Sequence, residues 1–82
     1  MTNDDYNELQ DLHAKVLSLD RNDYETAMEY TRDFTRLGNR TTYPYATEEV
    51  GSIESDFKGR RWNAGIRSLS ENIELVLERE KR

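Results

Sequence analysis

Apolar side chains recur along this chain at intervals of three and four, the period of a helix with one buried face. Tyr6, Leu9, Leu12, Val16 and Leu19 open the pattern and define a first helix. Thr2 or Asn3 can cap its start, and Asp4 and Asp5 suit the positive end of its dipole. Asp20, Arg21 and Asn22 interrupt the pattern. A second helix is expected from about Asn22, since Asn22 and Glu25 have capping-box spacing with Asn in place of Ser or Thr. Its stripe is Tyr24, Met28, Thr31, Phe34 and Leu37, with Ala27 alongside. Gly38 then occupies the place of a left-handed C-terminal residue. The short link between the first two helices implies an αα-hairpin.

Residues 38–46 read as a loop, with the sole proline, Pro44, between Tyr43 and Tyr45. Pro44 biases Tyr43 towards an extended backbone, and Thr41–Tyr45 could form a short strand, although no partner strand is evident. Thr47 is the expected cap of a third, shorter helix whose apolar face is Ala46, Val50, Ile53 and Phe57. Gly51 weakens that helix. The step from Phe57 to Trp62 breaks the phase, which predicts a turn or kink at Lys58–Arg60. Trp62, Ile66, Leu69, Ile73 and Val76 then alternate steps of four and three, the spacing of a heptad seam, and Leu75 and Leu77 widen the stripe. This predicts one long helix over about Arg61–Glu80, with a second start at Ser68–Glu71 as the alternative. The run from Glu78 to Arg82 reads as a charged, fraying end.

The fold class that follows is all-α: a small helical bundle with an N-terminal αα-hairpin, a Tyr-rich loop and a long C-terminal helix. The 82 residues make a single helical domain at most. The predicted core is Leu9, Leu12, Val16, Leu19, Met28, Phe34, Leu37, Val50, Ile53, Phe57, Trp62, Ile66, Leu69, Ile73 and Val76. It is thin. Leu, Ile, Val and Phe together number sixteen, just under a fifth of the chain and close to the range of disordered sequences, while a net charge of −5 keeps self-repulsion mild. A homo-oligomer or a bound partner would compensate for so small a core.

Composition also narrows the chemistry. With no cysteine, neither a disulfide framework nor a thiolate metal site can form. The first residues lack the basic start and apolar run of a signal peptide, and no stretch has the length of a membrane span, so the expected setting is cytoplasmic, in a bacterial or other host cell. His13 is the single histidine. Asp11 lies two residues away and points to another side of the helix, so His13 reads as an ordinary helix residue. Glu71, Glu74 and Glu78 share a face and read as solvated, because carboxylate metal bundles usually add a Glu-x-x-His pair. There is no nucleophile elbow, phosphate loop or cofactor fingerprint. The expectation is a protein without enzymatic activity and without a cofactor.

Charge is distributed unevenly. Residues 1–35 carry nine acidic and three basic side chains, and residues 36–82 carry eight acidic and nine basic. The basic ones gather at Arg36, Arg40, Lys58, Arg60, Arg61 and Arg67, near Tyr43, Tyr45 and Trp62. Arginine beside aromatic residues suits a protein interface, and it also suits phosphate and base recognition. The acidic balance disfavours direct nucleic-acid binding. The expected contact surface is Arg40, Tyr43, Tyr45, Arg60 and Arg61, brought together if the third and fourth helices fold back. The function expected is a protein-binding inhibitor or adaptor. Compact acidic helical proteins of this size recur among phage inhibitors of host defence, immunity proteins and antitoxins, an association of size and composition alone. The alternative is a binder of nucleotides or other phosphate-bearing ligands through the Arg/Tyr/Trp cluster. The nine acidic side chains of the first half could also imitate DNA phosphates, although such mimics usually carry a net charge more extreme than −5.

Overall fold

The computed structural model describes residues 1–81; among them are four helices and no strand: α1 (Asn3–Leu17), α2 (Tyr24–Gly38), α3 (Val50–Lys58) and α4 (Trp62–Glu80). α1 begins on a capping box. Thr2 Oγ1 accepts the Asp5 N–H at 3.1 Å, and the Asp5 carboxylate accepts the Thr2 N–H at 3.3 Å. The cap of α2 is Asp23, not Asn22, and it accepts the Thr26 N–H at 3.2 Å. The chain reverses through Asp20–Asp23, and Asn22 holds the left-handed position at φ 71°. Asn tolerates that conformation better than most residues, so the turn takes Asn22 and capping passes to its neighbour.

Gly38 also departs from expectation. It is the last residue of α2, buried and not left-handed. A Cβ there would lie 2.8 Å from Thr47 Cγ2, so the glycine serves close approach to the following loop. Thr47 does not cap α3. Residues 44–49 run as successive turns in place of the strand considered at Thr41–Tyr45, and α3 starts at Val50 behind Glu49 with no side-chain cap.

α3 ends where the phase break predicts, by an unusual route. The Arg61 N–H donates to Asp56 O at 2.8 Å and the Arg60 N–H to Phe57 O at 3.1 Å, the two bonds of a Schellman motif. The left-handed residue in it is Arg60, at φ 61°, although Gly59 precedes it. Gly59 has another task. A Cβ on it would meet Arg61 Nη1 at 2.3 Å, because the Arg61 side chain crosses it to reach Asp56 Oδ1 (3.0 Å) and Ser55 O (3.1 Å). α4 is continuous through Ser68–Glu71, where Asn72 and Ser70 donate back to the helix carbonyls of Ser68 and Arg67.

Each helix packs against the next, and α4 closes the ring against α1. α2 and α4 also meet across the diagonal. The contacts of the ends show an up-down-up-down order. One end of the bundle holds the start of α1, the loop after α2 and the end of α4; the other holds the links α1–α2 and α3–α4. The molecule measures 35 × 22 × 16 Å, and α4 alone accounts for about 28 Å of that length.

The core runs through the ring. Leu9, Leu12, Val16, Phe34, Leu37, Ile53, Phe57, Trp62, Leu69, Ile73 and Val76 are buried as the stripes predict. Leu19, Met28, Val50 and Ile66, expected in the core, are only partly buried at its margin. Leu75, expected to widen the α4 stripe, is 40% exposed. Small residues take up the remaining interior. Ala27, Ala46, Thr31 and Ser70 are buried, and Thr31 satisfies its hydroxyl by donating to Ala27 O at 2.8 Å. Gly65 lets the Phe57 ring lie directly on α4, since a Cβ there would fall 2.4 Å from Phe57 Cε1.

Candidate functional site

The loop between α2 and α3 is fastened at several points. Arg40 Nη1 donates to Asp5 Oδ1 at 2.8 Å, which ties the loop to the start of α1 and holds the Asp5 carboxyl below its ordinary pKa. Glu80, at the end of α4, accepts from the Thr41 hydroxyl, from the Thr42 N–H at 3.1 Å and from the Thr42 hydroxyl at 3.4 Å. Those bonds, the Thr41 hydroxyl foremost, hold the Glu80 carboxyl low as well. The charge pattern assigns Glu80 no task beyond a fraying end, and Arg82 lies outside the described residues. Tyr43 packs against the core, with the Arg79 guanidinium 4.8 Å from its ring centroid. Tyr45 meets Tyr43 edge to face at 5.9 Å and is itself 60% exposed. The next residue, Ala46, is buried. The loop thus presents one large aromatic side chain from a backbone held on both sides.

Arg60 and Arg61 are at the opposite end of the bundle. The structure brings Arg40, Tyr43 and Tyr45 together and sets Arg60 and Arg61 apart from them by roughly the length of α4. The third and fourth helices do fold back on one another, but the turn joining them falls at the far end. Arg61 is engaged by Asp56 and Ser55. The Arg60 guanidinium lies 4.6 Å over the Tyr24 ring, and the Tyr24 hydroxyl donates to Arg60 O at 3.1 Å. Tyr24 in turn stands edge-on to Trp62 at 5.2 Å and to Phe57 at 6.5 Å. Beside this cluster, an open groove of 470 Å³ runs between α2 and α3, lined by Tyr24, Glu25, Met28, Phe57, Lys58 and Arg60. Tyr24, Met28 and Glu80 are the residues that sequence reasoning missed as parts of a surface.

Other candidates find local partners. His13 Nε2 lies 3.1 Å from Glu74 Oε1, a link between α1 and α4 that engages the central member of the Glu71/Glu74/Glu78 face. Among the described residues no three His, Asp or Glu side chains converge in a way that could hold a metal ion. The acidic first half is partly neutralised, since Asp5 pairs with Arg40, Glu8 pairs with Arg36, and Asp23 caps α2. No helix among the described residues is long and apolar enough to cross a membrane. No protein-family model matches the chain, and neither a curated protein nor a solved structure shows a significant likeness to it.

Proposed function

We propose that this chain is a non-enzymatic protein-binding module, an inhibitor or adaptor that acts in the cytoplasm by occupying a partner's surface, with Tyr45 at the centre of the contact. The observation that carries this reading is the 60% exposure of Tyr45 on a loop fastened by Arg40, Glu80 and the buried Ala46. Binding loses affinity when loops and side chains must be ordered, and a loop already fixed avoids that cost. Tyrosine adds a large apolar face and a hydroxyl with only two side-chain torsions. Arg40, half-exposed, and Arg79, set on Tyr43, surround it with donors of the kind enriched at hot spots.

The second reading, a phosphate-bearing small ligand, draws support from Lys58 and Arg60 at the rim of the α2–α3 groove. It is weaker because Glu25 lines the same groove, Trp62 is only 8% exposed, and Arg60 covers one face of Tyr24. Affinity capture from a host lysate with wild-type and Tyr45→Ala protein tests the first reading. The expected result is a partner retained by the wild type and lost by a variant that melts at the same temperature. Equal capture by both overturns the role of Tyr45. A co-purifying nucleotide favours the second reading, and turnover that disappears in His13→Ala overturns both.

A further inference from the structure

We propose that the groove between α2 and α3 docks an acidic amphipathic helix of a partner protein, with its apolar side chains on the partly buried Tyr24 and Met28 above Phe57 and its carboxylates on Lys58 and Arg60. This surface is separate from the Tyr45 loop and lies at the other end of the bundle.

The charge pattern identifies the occupant. Arg61, in the same turn, is ion-paired, whereas Lys58 and Arg60, like Arg32 and Arg67 elsewhere on the surface, have no carboxylate within ion-pair distance among the described residues. The chain holds 17 acidic and 12 basic side chains, so two adjacent unpaired cations beside an apolar floor are a local reversal of its overall sign. They complement an acidic ligand, and attraction of this kind speeds encounter and fixes orientation.

The backbone supplies an independent observation. Arg60 is left-handed at a position where glycine is the usual occupant. Conformations of this kind in residues other than glycine persist where the surroundings impose them, and they cluster at functional positions. Glycine at position 60 would close the same turn without strain but would present no charge. The strained arginine sets a guanidinium across Tyr24, at the edge of the groove.

The shape selects a helix. The groove lies open between two neighbouring helices, and no strand edge borders it to accept an extended peptide. Helices dock in such grooves through apolar residues at helical spacing. Glu25 on the α2 side disfavours a bare phosphate and suits a ligand that carries a basic residue on the flank opposite its carboxylates.

The test titrates the isotope-labelled full chain with a short synthetic helix bearing Leu on one face and Glu along its flank, followed by amide shifts and by Trp62 fluorescence. The expected result is saturable binding with shifts centred on Tyr24, Met28 and Arg60, weaker at high salt and unaffected by Tyr45→Ala. The double variant Lys58→Glu/Arg60→Glu should bind at least tenfold more weakly. Arg60→Gly keeps the left-handed turn, so it should melt within a few degrees of the wild type while binding several-fold more weakly; this separates loss of charge from loss of fold. The proposal is overturned by any of four outcomes: no saturable shifts, equal affinity for a peptide with Lys in place of Glu, shifts centred on Tyr45, or displacement of the peptide by inorganic phosphate that gives the same shifts.

Discussion

The carboxylate of Glu80, in the last turn of α4, accepts the hydroxyl of Thr41 and so ties the end of the described chain to its middle. Thr42 adds its backbone N–H to the same oxygen. Glu80→Ala should release both threonines and loosen the loop that presents Tyr45. Hydrogen bonds to a partly exposed charge at this site are worth about 1 kcal/mol, or a fall of roughly 5 °C in melting temperature for a protein of this size. Hydrogen exchange should show earlier opening at Thr42, with the α3–α4 turn unchanged. Unchanged exchange at Thr42 would argue against the clamp.

Acid should attack the same end of the bundle. Asp5 and Glu80 are both held below their ordinary values of 3.8 and 4.5, the first mainly by Arg40 and the second mainly by Thr41. A depressed pKa in the folded state contributes stability that is complete above the unfolded value and is lost as pH falls through the folded one. The contribution of these two groups should stay level from neutral pH to about 5 and drop below about 4. Thermal melts across that range check it. The double variant Asp5→Asn/Glu80→Gln should start lower at neutral pH and lose less on acidification, and an acid slope equal to that of the wild type would assign the loss to other groups.

Two glycines should respond in opposite directions to alanine. Gly65→Ala drives a Cβ to within 2.4 Å of the buried Phe57 ring and should cost about 2 kcal/mol. Gly51 sits exposed in the first turn of α3, where a Cβ meets nothing within 4 Å. Gly51→Ala should therefore gain about 0.5 kcal/mol from helix propensity. Denaturant midpoints measured side by side decide both.

The start of α2 offers a cleaner comparison. Asp23→Ala removes the side chain that caps Thr26 and should cost about 1 kcal/mol. Glu25→Ala should change stability by less than about 0.5 kcal/mol, because Glu25 has no capping bond to lose. Equal losses would restore the capping box first expected from Asn22 and Glu25.

The stripes made the four helices and most of the core legible, because a spacing of three and four constrains which side chains share a face. The caps were less legible. Asn22, Asp23 and Glu25 all suit the start of a helix, and the left-handed turn at Asn22, formed between elements, decides among them. The small interior residues were hidden for a related reason. Ser70 and Gly65 are buried by close approach of neighbouring helices, which hydrophobicity does not report. The separation of Arg40 from Arg60 was within reach of the sequence. In an up-and-down bundle the link after the second helix and the link after the third must fall at opposite ends, so one surface could not contain both. The groove at Tyr24 needed the backbone of Arg60, and no residue pattern announces that an arginine, with a glycine beside it, takes the left-handed position.

The ring order of the helices has a consequence for how the molecule assembles. The contacts α1–α2, α2–α3 and α3–α4 join neighbours in the chain, and the seam between α1 and α4 joins its two extremes. Local contacts form quickly, and one long closure adds only a slowly growing entropic cost. Until α4 arrives, however, α1 and α3 have no common neighbour but α2, and the apolar faces they turn towards α4 stay in water. Folding and unfolding should therefore behave as one event timed by that seam, and substitutions along it should register in the folding rate where those in the α2–α3 loop register in the rate of unfolding.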